Sequence, residues 1–140
     1  MGLEIYCDGL CQPTNPGGYG CCAYAVFRNG ETVVKRYGCI GRGPEMTNNV
    51  AEYRAVLGAL KWLSENRGDD SACVMTDSKL VVEQVNGRWA CNSEKLRPYR
   101  DECRELLRGM SNVMLLWIPR ERNEVADALT RVAYRKARAA

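Results

Sequence analysis

The chain has 140 residues, 46% hydrophobic and 26% charged, which suits one compact domain over residues 1–140 and excludes extended disorder. Its net charge is +3, but residues 1–85 carry 8 basic and 10 acidic groups, against 12 and 7 in residues 86–140, so a polyanion partner or a salt-bridged surface belongs to the second stretch. There is no histidine, which excludes a Ser-His-Asp triad, a Cys-His dyad and any metal site built on imidazole.

Leu3 to Cys7 is a β-prone apolar run that ends at the turn-like pair Asp8-Gly9. Cys11 to Gly20 is rich in Pro, Asn and Gly and reads as a loop. Gly20 to Arg28 and Thr32 to Ile40 flank Asn29-Gly30, the strongest short-range signal for an antiparallel hairpin. Gly41 to Pro44 breaks the pattern. Thr47 to Asn66 is a long helix, capped by Thr47 or an adjacent Asn, with Val56, Ala59, Leu60 and Leu63 at helical spacing. Ala72 to Thr76 is a short buried strand. Asp77-Ser78 opens a helix through Val85 that Asn86-Gly87 closes. A further helix runs from about Leu96 to Arg108, with Pro98 tolerated in its first turn. Val113 to Ile118 is continuously apolar and reads as a central strand. The last helix spans Asn123 to about Arg138, with Val125, Ala126, Leu129, Val132 and Ala133 as its apolar face. The order β-β-β-α-β-α-α-β-α implies an α/β fold, one mixed sheet flanked by helices.

Eight cysteines without any CxxC pair read as small buried hydrophobes and not as a zinc site. The N-terminal segment lacks the basic and apolar regions of a signal peptide, and Tyr6 stands where myristoylation needs Ser or Thr. No apolar run approaches the ~18 residues of a membrane span. These features predict a cytoplasmic protein with reduced thiols.

Four carboxylates carry the chemistry that the composition leaves open. Glu52 shares a helical stripe with Val56, Ala59, Leu60 and Leu63. A carboxylate there is costly unless it is paired, binds a metal or lies at the stripe's edge and reaches water. Asp8 and Asp77 each follow a short strand, so they can converge on one rim of a sheet. Taken singly, Asp8 also suits a turn and Asp77 a helix cap. Asp127 lies opposite the apolar face of the last helix and, by position alone, is a surface residue. Carboxylates brought together repel one another and stay ionised only with cations between them. Oxygen-only ligands select hard ions such as Mg²⁺ or Mn²⁺. Two such ions about 4 Å apart can activate water and stabilise the leaving oxygen of a phosphodiester without histidine.

The chain resembles type 1 ribonuclease H over essentially its whole length, in Ile5-Tyr6-Cys7-Asp8-Gly9, Thr47-Asn48-Asn49-Val50-Ala51-Glu52, Thr76-Asp77-Ser78 and Asn123-Glu124-Val125-Ala126-Asp127-Ala128-Leu129. The resemblance implies a five-stranded mixed sheet, three antiparallel strands then two parallel, flanked by helices. It implies an endonuclease that cuts the RNA strand of RNA/DNA hybrids to 5′-phosphate and 3′-hydroxyl ends, with two Mg²⁺ ions, or Mn²⁺, held by Asp8, Glu52, Asp77 and Asp127. By the same resemblance Thr47 grips a phosphate of the DNA strand, and Asn15, Asn48 and Asn49 reach the minor groove. Trp89 lies beside the DNA strand, and Lys79, Arg88 and Lys95 meet phosphates.

Two departures stand out. The basic protrusion of many bacterial members is absent between Gly87 and Lys95, which leaves affinity to dispersed groups such as Arg88, Lys95, Arg97 and Arg100. A loop histidine of many members is replaced by Pro119-Arg120-Glu121-Arg122, where Arg120 is the candidate stand-in. This compact form is most similar to archaeal-type members and their bacterial relatives, and a monomer is expected. The competing readings are a hybrid-binding module that does not cut and a nuclease of the same fold acting on another duplex, such as double-stranded RNA.

Overall fold

The computed structural model describes residues 2–140. Strands β2 (Gly17–Arg28) and β3 (Glu31–Gly43) are joined by the Asn29-Gly30 turn, whose two residues take φ of 53° and 80°. A two-residue turn of this kind needs positive φ at both positions, which Asn and Gly tolerate best. Strand β1 (Gly2–Gln12) pairs antiparallel with β2. Strand β4 (Ser71–Thr76) lies parallel to β1, and β5 (Val113–Trp117) parallel to β4. The sheet order is β3-β2-β1-β4-β5, the mixed architecture expected of three antiparallel strands followed by two parallel ones.

Helix α1 (Asn48–Asn66) starts where the Thr47 hydroxyl accepts the Val50 amide at 3.2 Å. It packs on β1 and β2 and is backed by α2 (Lys79–Val85) and α3 (Arg97–Arg108). Helix α4 (Glu124–Ala139) crosses β1, β2 and β3 on the opposite face. Leu3, Ile5 and Cys7 of β1, Val74 of β4, Val56, Leu60 and Leu63 of α1, Val81 of α2 and Cys103 of α3 share one buried cluster. Burying each of the larger aliphatic side chains contributes about 1.5–3 kcal/mol.

The structure corrects several expectations. Asp8-Gly9 is not a turn: β1 continues to Gln12 because β2 goes on supplying partners, with Gly9 opposite Cys22 and Gln12 opposite Tyr19. The predicted loop from Cys11 to Gly20 shrinks accordingly, and β3 runs through Gly41-Arg42 to Gly43. The Val113 to Ile118 run is an edge strand, not a central one. Only Leu115 of it is buried, while Met114, Leu116 and Trp117 are exposed. An apolar run looks the same whether or not a second neighbour follows, and α4 stops short of this side of the sheet. The buried stripe of α4 is Ala126, Thr130 and Ala133; Val125 is exposed, and Leu129 and Val132 are half-buried. Asp127, half-buried between Ala126 and Thr130, therefore lies at the margin of that stripe and not opposite it. All eight cysteines are free, and most are buried, but Cys39 on β3 is exposed.

Candidate active site

Three carboxylates meet where β1, β4 and α1 converge. Asp8 and Glu52 are buried and Asp77 half-buried. Each offers an oxygen within 4.8 Å of the others. Asp8 is carried by the middle of β1, and Asp77 directly follows the last residue of β4. Ser78, not Asp77, caps α2: its hydroxyl accepts the Val81 amide at 3.3 Å, so the Asp77 carboxylate stays in the cluster. Glu52 faces the sheet from the first turns of α1 and accepts the Gly9 amide on Oε1 at 2.5 Å. That contact depends on Gly9 itself. A Cβ there would stand 2.4 Å from the backbone of Ala51 and Glu52, closer than any side chain can be placed.

The electrostatics follow from this crowding. Burial, then the Asp77 carboxylate, pushes the Asp8 carboxyl up to about 7, against the Gly9 and Glu52 hydrogen bonds that pull it down. Burial and the Asp8 and Asp77 charges raise Glu52 well above the ordinary carboxylate range. Asp8 and Glu52, crowded in this way, hold on to protons that an ordinary carboxylate would lose unless a cation neutralises them. The donor set is all oxygen, which fits a hard divalent cation and excludes a soft one. Burial, with Glu52 next, also raises the Cys7 thiol, so it stays protonated beside Asp8.

Asp127 lies outside this triad. It is half-buried in the first turn of α4, and its Oδ2 accepts from Arg131 Nε at 3.1 Å. It is close enough for its charge to contribute to the rise at Asp8. Asn123, just before α4, is fully buried; its Nδ2 donates to the Cys7 carbonyl at 2.7 Å and to Asp77 Oδ2 at 3.2 Å.

The other nominated residues spread around this rim. Asn15 Nδ2 donates to Asn48 Oδ1 at 2.9 Å, and the Asn48 amide donates back to Asn15 Oδ1 at 3.2 Å, pinning the loop after β1 to the start of α1 beside Thr47 and Asn49. Lys79 is exposed in the first turn of α2, with its Nζ 6.0 Å from the Trp117 ring centre. Trp89 is exposed. Arg120 is exposed in a 3-10 turn, Arg120–Arg122, that leads into α4. Arg88 is held by both oxygens of Glu83, Lys95 by the Glu45 carboxylate and carbonyl, and Arg100 by Asp101. Several cations named from sequence are therefore partly neutralised at home.

Sequence reasoning missed Gly9, Asn123 and Trp117. The Asp8-Gly9 pair carries a turn signal that hides the close approach of α1. Asn123 sits in a matched segment, but no local pattern reveals a partner 116 residues away in the chain. Trp117, whose indole donates to the Asp77 carbonyl at 3.2 Å, reads as one more apolar residue of a strand.

Comparison with known proteins agrees with this geometry. The Reverse transcriptase-like family matches residues 7–133. Ribonuclease HI of Halobacterium salinarum is 38% identical over 94% of this chain and 63% of its own length. Ribonuclease H of Dinoroseobacter shibae is 33% identical over 92% of this chain and 88% of its own. The crystal structure of LC11-RNase H1 in complex with an RNA/DNA hybrid superimposes with a TM-score of 0.85 at 30% identity, covering 96% of this chain and 98% of that one. The sheet order and the acidic cluster define an RNase H-like domain. More narrowly, the chain belongs to the type 1 ribonuclease H family. It spans less than two thirds of the Halobacterium protein and 34% of a Mycobacterium tuberculosis bifunctional protein that it also matches. Among the described residues no helix is long and apolar enough to cross a membrane.

Proposed function

We propose that residues 1–140 act as one catalytic domain, an endonuclease that hydrolyses the RNA strand of RNA/DNA hybrids with two Mg²⁺ ions and leaves 5′-phosphate and 3′-hydroxyl ends. The observation that carries this reading is the Asp8, Glu52 and Asp77 cluster, an all-oxygen site too crowded to ionise fully on its own. Asp8 and Asp77 would hold the cations most directly, with Glu52 and Asp127 at the sides. Bound there, the ions would supply an activated water and charge stabilisation for the leaving oxygen. No histidine base is needed, in keeping with a chain that has none.

The remaining roles belong to the rim. The Asn15 and Asn48 pair, with Asn49, presents amides to the minor groove, where a ribose 2′-hydroxyl distinguishes RNA from DNA. Thr47 beside them takes a phosphate of the DNA strand while its hydroxyl keeps capping α1. Lys79, Arg88 and Lys95 contribute screened phosphate contacts, and Trp89 packs on the DNA strand. Arg120 stands where related enzymes keep a histidine and assists product departure. The working state is a monomer in the cytoplasm, a reducing compartment that suits eight free thiols.

The test is incubation of the protein with end-labelled hybrid, duplex RNA and duplex DNA, each with Mg²⁺, Mn²⁺ or EDTA. The expected result is internal cleavage of the RNA strand of the hybrid only when metal is present. Binding without product in every metal condition would make the chain a hybrid-binding module. Faster cleavage of duplex RNA than of hybrid would reassign the substrate.

A further inference from the structure

The side-chain amide of Asn123 is tied to the carboxylates and not to the helix that it precedes. It makes no capping hydrogen bond to α4. Both partners of Nδ2, the Cys7 carbonyl and Asp77 Oδ2, are acceptors. The amide therefore has one orientation, because turning it over would press Oδ1 against two oxygens. The backbone of Asn123 adds two more ties: its carbonyl accepts the Asp127 amide at 3.1 Å, and its N–H donates to the Arg120 carbonyl at 2.9 Å. One residue thus touches β1 next to Asp8, Asp77 itself, and the turn of α4 that carries Asp127.

The cost of this arrangement is visible. Oδ1 of Asn123 is buried and has no hydrogen-bond partner. An apolar side chain of similar size would carry no such orphan, so packing alone does not account for an amide here. What the amide supplies is a donor to a carboxylate that faces two others. Groups that hydrogen-bond a metal-binding carboxylate orient it, and removing them weakens metal affinity or activity by about 10–100-fold.

We infer that Asn123 is a positioning residue for the cation site: its Nδ2 orients Asp77 and joins the Asp8 strand to the start of α4, so that the carboxylates are aligned before a cation arrives. This rests on the metal-dependent reading above. It assigns Asn123 no contact with substrate.

The test is calorimetric titration of the nucleic-acid-free protein with Mn²⁺, comparing wild type, Asn123→Ala and Asp77→Asn. Thermal unfolding in EDTA and hybrid binding in EDTA are measured alongside. Asn123→Ala is expected to weaken Mn²⁺ binding about tenfold or more while metal-free hybrid binding stays within about twofold. Asp77→Asn is expected to remove most of the Mn²⁺ heat. If Asn123→Ala does not fold, Asn123→Ser carries the same test, since serine is a good residue before a helix but cannot reach both acceptors. A lowered melting temperature with an unchanged Mn²⁺ isotherm would make Asn123 a packing residue and overturn the inference. An unchanged isotherm in Asp77→Asn as well would overturn the metal site itself.

Discussion

The carboxyl of Asp8 makes the metal-free protein's stability depend on pH in the direction opposite to ordinary acid denaturation. In the unfolded chain this carboxyl has its usual value near 3.8, while burial and Asp77 push it to about 7 in the fold. Between those two values the folded state holds a proton that the unfolded state has lost. Stability from this group is therefore full below about pH 4 and falls as pH rises to about 7. Three pH units at 1.36 kcal/mol each set the size at about 4 kcal/mol, an upper figure because Glu52 shares the same protons. Asp8→Asn removes the charge and keeps the shape. In EDTA it is expected to match wild type near pH 4 and to exceed it at pH 8 by up to about 4 kcal/mol, about 10 °C in Tm. Urea unfolding followed by circular dichroism from pH 4 to 8 measures this, and the difference between the two profiles cancels the titrating groups that do not interact with Asp8, leaving Asp8 together with its partner Glu52. Saturating Mg²⁺ should flatten that difference. Parallel profiles in EDTA would refute the assignment of the shift to Asp8.

Asp77→Asn is expected to lower hybrid cleavage about 10³-fold or more, with an unchanged circular dichroism spectrum; near-normal activity would dismiss the metal assignment. Leu60→Ala, in the fully buried layer between α1 and the sheet, should cost about 2–5 kcal/mol in urea unfolding. Tyr53→Phe leaves Gln84 Oε1 without its 2.7 Å donor in the core and should cost about 1–3 kcal/mol by the same measurement. Lys95→Ala breaks an exposed pair with Glu45, so stability should change by less than about 1 kcal/mol. Its effect belongs in hybrid binding, where the salt dependence should become shallower by about one ion.

Local signals proved the legible ones. The Asn29-Gly30 hairpin and the Thr47 cap depend only on residues a few places apart, and both occur where the sequence puts them. Glu52 was legible as an anomaly, because helical spacing alone sets it facing the core. Features that depend on distant partners were not. Asp8-Gly9 carries the chemistry of a turn, yet a ladder with β2 keeps it extended. The run from Val113 is as apolar as a central strand, and only the missing neighbour makes it an edge. Charge was legible as a total and not as a state: Arg88 looks free in the sequence but is clasped by Glu83 five residues earlier. Asp8, Glu52 and Asp77 lie together, as the family motifs imply, whereas Asp127 stands outside their triad and pairs with Arg131 one helical turn on.

The Gly9 contact has a further consequence. Helix and sheet are here separated by little more than a hydrogen atom, so the gap acts as a gauge for the distance between Asp8 on the strand and Glu52 on the helix. Any side chain at position 9 is a wedge driven in at the point where the gauge is read. The wedge has a long, largely buried helix on one side and a five-stranded sheet on the other, both held in a close-packed interior that compresses little. Variation at position 9 should therefore separate two properties that usually fail together: a protein can remain folded there while its carboxylates stand too far apart to work.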